Sequence, residues 1–466
     1  MAFEIPSDLM ISVSGVRGRV GEGLTPEVIA RFAAAFGAYL GESVSDSAPA
    51  VVLARDSRTS GPMYVRAVTA ALQSVGCRVI DLGLVPTPTA LLAIGHHGAA
   101  GGIVVTASHN PVEWNALKFA SATGMFLDGD EAAAMRAFVN DRPIPRAAWD
   151  AIGDVEHDGA AVDRHLDAVL GVPFVDVVGL RKRRFRVALD CVRGAGSVII
   201  PRLLSDLGCD VVSIHTEPDG RFPRPPEPVP ENLTELGRLV EESNADIGLA
   251  IDPDADRLAL VDERGRPIGE DWTLALAASL VLRHRKGAVV TNLSTSNVLA
   301  DVAREGGVAL VRAPVGEINV ARRMQAEHAV IGGEGNGGVI LPDVHLTRDS
   351  AVATLLVLQC LLELDQPLSQ YLAGRPSYAI VKDKLPRGDG PLDHVFDVLE
   401  RELGAPDADR QDGLRLTWPD AGRWLHFRAS GTEPIVRIIA EAPDSNEARA
   451  LIARAREIAA EVSPVS

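Results

Sequence analysis

Three times along this chain a short, unbroken apolar run empties into a loop of unusual chemistry: "IVVTASHNP" from Ile103, "IGLAIDPDADR" from Ile247 and "AVIGGEGNGG" from Ala329. An apolar run without polar alternation is the signature of a strand covered on both faces, which in a sheet requires helices above and below. Open α/β sheets place their sites at the C-terminal ends of such strands. The chain is therefore expected to fold as repeated α/β units, each offering one loop to a common site.

The surrounding text supports the repeat. "PAVVLARDS", "GPMYVRAVTAALQSVG" and "CRVIDLG" read as strand, helix closed by Gly76, and strand. The same grammar returns from "RFRVALDCVRGAG" through "CDVVSIH", and again from "GAVVTNLSTS" through "VALVRAPVG". The last hundred or so residues differ: "SYAIVKDKL", a helix from Leu392 to Leu403, "LRLTWP", "GRWLHFRASGTEP", "IVRIIAEA" and a closing helix from Asn446 describe a small α+β sheet. The expected architecture is three tandem mixed-sheet α/β domains of similar topology, residues 1–150, 151–262 and 263–374, followed by a smaller C-terminal α+β domain over 375–466, with the site in the central cleft.

Composition narrows the function. With a formal charge of -17 and no basic stripe with interleaved aromatics, the 466-residue chain does not read as a nucleic-acid binder. The run "RKRRFR" from Arg181 reads as a solvated lead-in to the next strand. Cys77, Cys191, Cys209 and Cys360 lie far apart without a CxxC pair, so neither a zinc site nor a disulfide framework is expected, and a reduced cytoplasmic setting fits. The N-terminus has no leader pattern and "AVATLLVLQCLLEL" is too short to span a bilayer, so no membrane association is expected.

Each loop carries its own chemistry. In "IDPDADR", Asp252, Asp254 and Asp256 alternate; on an extended backbone their carboxylates would face one way, as hard oxygen ligands suited to Mg²⁺, with Arg257 beside them to fork onto a phosphate. The competing reading is an acidic surface turn. "RASGTEPIVR" offers Arg428, Ser430, Gly431, Thr432 and Arg437, a donor set for a phosphate dianion, or a turn with an incidental arginine. In "GGEGNGG", Glu334 and Asn336 can exchange hydrogen bonds with sugar hydroxyls, although glycines alone make a turn. "TASHNP" invites a Ser-His hydrolase reading, but a nucleophile elbow would read GxSxG, and neighbours on an extended strand face opposite sides, which places His109 badly to deprotonate Ser108. A serine that carries a phosphoryl group needs a cation and positive side chains around it instead.

Taken together and in this order, "TASHNP", "DPDADR", "GEGNGG" and "RASGTEP" resemble the phosphoserine, metal, sugar-recognition and phosphate-binding loops of the α-D-phosphohexomutase superfamily, over essentially the whole chain. The N-terminal "SVSGVRG" resembles that family's opening motif, which implies that Arg17 faces the phosphoserine. The resemblance implies that Ser108 is phosphorylated, that Asp252, Asp254, Asp256 and a Ser108 phosphoryl oxygen bind Mg²⁺, and that a hexose 1,6-bisphosphate is both intermediate and activator. Lys118 is the first proton carrier to consider, its pKa drawn down beside an arginine and a metal, and His109 the second. Gly316 and Glu317 in "RAPVGEIN" resemble a further sugar-contacting segment.

Some members end the sugar loop in Ser-Gly-His, whereas this chain has Asn336, Gly337 and Gly338, which leaves His345 as a replacement or as a surface histidine. Within the superfamily the loops look most like the phosphoglucosamine mutase branch, with phosphomannomutase/phosphoglucomutase as the alternative. Sugar phosphates are then the small-molecule partners. Outside it stand an aspartyl phosphatase built on Asp252 and Asp254, and an inactive sugar-phosphate-binding regulator.

Overall fold

The computed structural model describes residues 4–13, 15–42, 48–388, 390–431 and 435–462. The first sheet has seven strands, in the order Met10–Ser12, Gly15–Arg19, Trp114–Ser121, Gly101–Val105, Ala50–Arg55, Arg78–Leu84 and Val155–His157. The last four run parallel, whereas Trp114–Ser121 is antiparallel to both of its neighbours. The second sheet orders Leu258–Val261, Ile247–Ile251, Arg186–Asp190 and Asp210–Ile214, and the third orders Leu310–Ala313, Val289–Asn292, Ile331–Glu334 and Gly338–Ile340. In both, an antiparallel partner follows the strand that carries the chemically loaded loop. The fourth sheet is antiparallel throughout: Ala379–Pro386, Ile435–Ala442, Arg423–Ala429, Leu414–Trp418 and Asp407–Asp409. The expected plan of three α/β units and a smaller α+β unit is the one observed.

Those antiparallel partners are what the sequence reading lacked. "WNALKFAS", which the strand pattern above does not include, is a buried central strand whose pairing sets Lys118 opposite Val104 and Gly15. Lys118 is thereby fixed by a ladder on both sides, beside the end of the strand that leads to Ser108. The basic run from Arg181 ends the helix Val177–Arg183, and its arginines are exposed, with Arg183 donating to Asp246 at 2.9 Å. The cysteines are free and no helix among the described residues is long and apolar enough to cross a membrane.

The largest apolar core is shared by the second and third sheets. It runs from Leu166 to Tyr371 and is centred on the helices Asp271–His284 and Ser350–Leu364. The second of these is buried at every position from Ser350 to Leu361, the all-round burial expected of a helix with no polar face. It explains why "AVATLLVLQCLLEL" is so apolar without entering a membrane. The first sheet has its own core, with Phe36 against Phe119 at 5.0 Å between ring centroids, and the C-terminal sheet packs on the helices Asp393–Leu403 and Ser445–Val462. Leu355, fully buried in the shared core, is a direct probe of this arrangement. Leu355→Ala is expected to cost about 2–5 kcal/mol, read by chemical denaturation as one transition in which the second and third units unfold together.

Candidate functional site

The loop after Gly101–Val105 is held by a buried ion pair that sequence reasoning missed. Arg58 is fully buried; its Nε donates to Asp56 at 3.0 Å, and its Nη atoms donate to the carbonyls of Ser108, Asn110, Pro111 and Trp114 at 2.6–2.9 Å. Thr106 Oγ1 donates to Asp56 at 2.7 Å and accepts the Ser108 N–H at 3.0 Å. Asp56 and Arg58 in "RDSR", directly after a buried strand, were the available signal, since buried charges persist only when paired.

This clamp holds Ser108 at φ 48°, a conformation unfavourable for a non-glycine residue. The backbone is therefore not extended here, and the expectation that Ser108 and His109 face apart fails. Ser108 Oγ lies 3.2 Å from His109 Nδ1 and donates to Asp252 Oδ2 at 3.2 Å. Burial, with Arg257 and Arg17 nearby, holds the His109 imidazole well below its usual pKa and hence neutral. Arg17 reaches the same loop, donating to Asn110 Oδ1 at 2.5 Å.

The three aspartates converge, but through a turn and not through strand alternation. After Ile247–Ile251 the chain reverses, with Ala255 at φ 60°, and Asp252 Oδ1 accepts the N–H groups of Asp256 and Arg257, each at 3.1 Å. One ligand atom from each of Asp252, Asp254 and Asp256 lies within 4.8 Å of the others, all buried. Buried Oδ1 atoms of Asp254 and Asp256 have no hydrogen-bond partner. Orphaned buried carboxylate oxygens in an all-oxygen set fit a hard divalent cation, so the residues present suit the metal role.

Two cations from elsewhere hold this cluster. Lys118 Nζ donates to Asp254 Oδ2 at 2.8 Å, and Thr87 Oγ1 donates to the same atom at 2.9 Å. Burial alone would lower the Lys118 pKa, but the charges of Asp254 and Asp256 outweigh it and the net shift is upward. Lys118 is thus an ammonium here, contrary to the expectation that its pKa is drawn down. Asp254 is correspondingly held below its usual range: burial opposes this, and Lys118 overcomes it. Asp252 is pushed well above its usual range by burial and by its two acidic neighbours.

The second cation is Arg348, the other functional residue the sequence reading missed. It is buried and donates to Asp256 Oδ2, to Glu334 Oε2 at 2.8 Å and to Glu317 Oε2 at 3.2 Å. It therefore links the acidic turn to the glycine-rich loop. Glu334 also accepts from Asn292 Nδ2 at 2.8 Å and from the Gly316 N–H at 3.2 Å, and Asn336 donates to it at 3.4 Å. Glu317 lines the cleft, but its carboxylate is taken up by Thr347 and by the backbone and guanidinium of Arg348, which makes it a support of Arg348 in this structure. Gly337, at φ 87°, lets the loop press on its neighbour, since a Cβ there would sit 2.4 Å from the Leu258 carbonyl oxygen.

His345 does not replace a sugar-loop histidine. Its Nε2 lies 2.9 Å from Asp349 Oδ2, which also meets His165 Nε2 at 2.7 Å, while His165 Nδ1 meets Thr89 at 2.8 Å. This cluster joins three segments behind the cleft, and Asp349 meanwhile caps the helix Ser350–Leu364.

In the C-terminal unit, Arg428 lies opposite Arg437 on paired strands, and both line the cleft together with Gly431. Ser430 is buried and its N–H donates to the Ile435 carbonyl at 2.9 Å; Thr432 lies outside the described residues. Asp412 joins this unit to the third: it pairs with Arg428 Nε at 2.9 Å and accepts the Val315 N–H at 3.0 Å. Ser108, Lys118, Arg257, Glu334, Arg428 and Arg437 all face one cleft of about 1300 Å³. Its chemistry is that of a site for anions beside a carboxylate turn suited to a divalent cation.

Comparison with known proteins gives the same assembly a family. Models of the phosphoglucomutase/phosphomannomutase family match in sequence: alpha/beta/alpha domain I over residues 9–143, domain II over 163–265, domain III over 269–378 and the C-terminal domain over 390–458. A protein of Methanopyrus kandleri described as "Probable phosphoglucosamine mutase" is 38% identical over 94% of this chain and 95% of its own. A "Phosphoglucomutase/phosphomannomutase" of Thermococcus kodakarensis is 40% identical over 93% of this chain and 95% of its own. The crystal structure of a phosphoglucomutase/phosphomannomutase family protein from Burkholderia thailandensis superposes with a TM-score of 0.84 at 28% identity, covering 98% of this chain and 99% of that one. The chain belongs to the phosphoglucomutase/phosphomannomutase family of the α-D-phosphohexomutase superfamily, and is a phosphohexomutase.

Proposed function

We propose that this enzyme interconverts glucosamine 6-phosphate and glucosamine 1-phosphate, using Ser108 as the phosphoryl carrier and a bisphosphorylated hexosamine as the intermediate. The observation that carries the reading is the placement of Ser108 Oγ, 3.2 Å from both Asp252 Oδ2 and His109 Nδ1, in a cleft shared with Glu334, Arg428 and Arg437. The names of several relatives, among them "Probable phosphoglucosamine mutase" from Methanopyrus kandleri and from Methanothermobacter thermautotrophicus, support the choice of sugar. Asp252, Asp254 and Asp256 would hold Mg²⁺, which when bound neutralises charge on the phosphoryl oxygens.

The chain's own residues supply the rest. In the return leg Ser108 gives its proton to neutral His109 Nδ1 as Oγ takes the other phosphoryl group, and Lys118, charged through its pairing with Asp254, protonates the departing sugar oxygen. The phosphorylated enzyme is left with His109 protonated and Lys118 neutral. The first leg is the reverse: the Ser108 Oγ–P bond breaks as a bond forms between phosphorus and a sugar hydroxyl oxygen, Lys118 takes the sugar's proton and His109 gives one to Oγ. Arg17 and Arg257 balance the phosphoryl charge near Ser108, while Arg428, Arg437 and the Ser430–Thr432 loop bind the phosphate that is not reacting. Glu334 and Asn336 meet the sugar hydroxyls in both orientations. Gly316 supports them through its N–H to Glu334. A hexose 1,6-bisphosphate would prime unphosphorylated Ser108.

Ser108→Ala is expected to lower mutase turnover at least ~1000-fold and to abolish the phosphoryl mass gain that intact-mass measurement should show after incubation with glucose 1,6-bisphosphate and Mg²⁺. Full turnover by Ser108→Ala with loss of activity in Asp252→Asn would instead indicate an aspartyl phosphatase. No phosphorylation of the wild-type chain, together with no turnover, would indicate a regulator.

For substrate choice, a coupled assay at equal concentrations of glucosamine, glucose and mannose 6-phosphates should give glucosamine 6-phosphate the highest kcat/KM. A preference for glucose or mannose would transfer the assignment to phosphoglucomutase/phosphomannomutase with the same mechanism. Arg348→Met, which leaves Asp256, Glu317 and Glu334 buried without their shared cation, is expected to lower kcat/KM roughly 100-fold, with Arg348→Lys recovering part of the loss.

A further inference from the structure

One wall of the cleft carries unusual carboxylates. Gly269, Glu270 and Asp271 lead into the helix Asp271–His284 and line the cleft directly beside the sugar loop. The approach is close: a Cβ at Gly335 would lie 2.1 Å from Asp271 Oδ1. That oxygen is used structurally, accepting the Ser296 N–H at 2.9 Å. Glu270 is different. Its side chain is 9% exposed, its Oε1 is buried without a hydrogen-bond partner, and its Oε2 meets Lys382 of the C-terminal unit only at 3.6 Å. Lys382 is itself 63% exposed, so it is a weak counter-ion for a buried carboxylate.

A buried carboxylate oxygen without a donor is costly, and its persistence in a ligand cleft points to a donor that arrives with the ligand. The neighbouring charges define which donor. Asp271 is pushed up to about 7, chiefly by burial, with Glu441 and Glu270 adding to the rise and the Ser296 N–H and Lys382 offsetting part of it, so Glu270 shares this wall with other carboxylates. Burial likewise raises Glu270, and Lys382 and Arg257 offset part of the rise. A neutral hydroxyl would satisfy one lone pair, but an ammonium would satisfy it and balance the charge as well.

We infer that Glu270 is the specificity-determining residue for the 2-amino group of the sugar, its Oε1 accepting a hydrogen bond from the hexosamine ammonium in one of the two orientations the intermediate adopts. The inference rests on the hexosamine phosphate reading of the site. It explains how a cleft dominated by arginines for phosphate tells a 2-ammonium from a 2-hydroxyl, because recognition is placed on a buried carboxylate oxygen that lacks a donor. The cost falls on the competing substrate: a 2-hydroxyl sugar leaves the carboxylate charge unbalanced.

The test compares kcat/KM for glucosamine 6-phosphate and glucose 6-phosphate in the wild type, Glu270→Gln and Lys382→Ala. The wild-type ratio should favour glucosamine 6-phosphate, Glu270→Gln should reduce that ratio about tenfold or more, and Lys382→Ala should leave it in place. Turnover of glucose 6-phosphate by Glu270→Gln serves as its folding control; if that variant is inactive on both sugars, Glu270→Asp, which keeps the charge and shortens the reach, is measured for the same ratio and should also reduce it. A wild-type preference for glucosamine that survives in these variants would overturn the role of Glu270 alone. A wild type without that preference would overturn the substrate reading on which it rests.

Discussion

Neutralisation of the buried acidic turn is the interaction on which the site depends. Three carboxylates with ligand atoms within 4.8 Å of one another repel strongly where water is excluded, by about 4 kcal/mol per pair at 4 Å for an effective dielectric of 20. The second unit supplies the aspartates and Arg257, but Arg257 also faces Glu227 and stands 3.7 Å from Asp256. The closest cationic contacts come from elsewhere: Lys118 from a strand of the first unit and Arg348 from the third. The turn is therefore an electrostatic knot that draws three sheets together, and each partner is buried because the knot is. Once formed, it fixes Ser108 beside Asp252 from one side and Glu334 beside Arg348 from the other.

This explains which parts of the site were legible in the sequence. The loops that carry chemistry announce themselves, because each follows an apolar strand and departs abruptly from its pattern; Ser108, the three aspartates, Glu334 and Arg428 were found that way. What could not be read was the set of residues that hold those loops. Arg58 and Arg348 sit in short charged runs, "RDSR" and "LTRD"; the first hints at a local pair with Asp56, but only the tertiary contacts show Arg58 reaching carbonyls some fifty residues away and Arg348 pairing with Asp256. The positive φ of Ser108 was also hidden, since a strand that ends three residues earlier gives no local sign of it. That single backbone angle reversed the relation of Ser108 to His109. Lys118 was identified, yet its protonation was misjudged because its pairing with Asp254 depends on the strand Trp114–Ser121, which the apolar-run pattern does not mark.

The fourth unit is tied to the third by more than proximity. Arg415 Nε donates to the Leu293 carbonyl at 2.8 Å, His426 Nδ1 meets Ser294 Oγ at 2.9 Å, and Glu441 accepts the Asn297 N–H at 2.9 Å. All three contacts land on the segment that follows the strand Val289–Asn292, and Asp412 adds a fourth at Val315. The phosphate arginines are thus registered against the loops that flank Glu334, so the distance between phosphate and sugar recognition is set by this docking. Burial keeps the His426 imidazole near a pKa of about 4, so the docking contact is made by a neutral ring at neutral pH.

A bisphosphorylated sugar must leave its first set of contacts to turn around without leaving the protein. The cleft, at about 1300 Å³, is larger than the roughly 300–1,000 Å³ usual for a small-molecule site, so shape alone does not retain such a ligand. Charge has to do so, and against the sign of the whole molecule: the chain carries a formal charge of -17, which repels an anion at long range. Arg17, Arg257, Arg428 and Arg437 face inward from three units and offer a phosphate positive partners inside the cleft. Departure of a phosphate dianion is unfavourable, since it must exchange those arginines for the field of an acidic molecule. The freedom to rotate and the barrier to departure then come from the same arrangement, and neither requires the cleft to fit the intermediate closely.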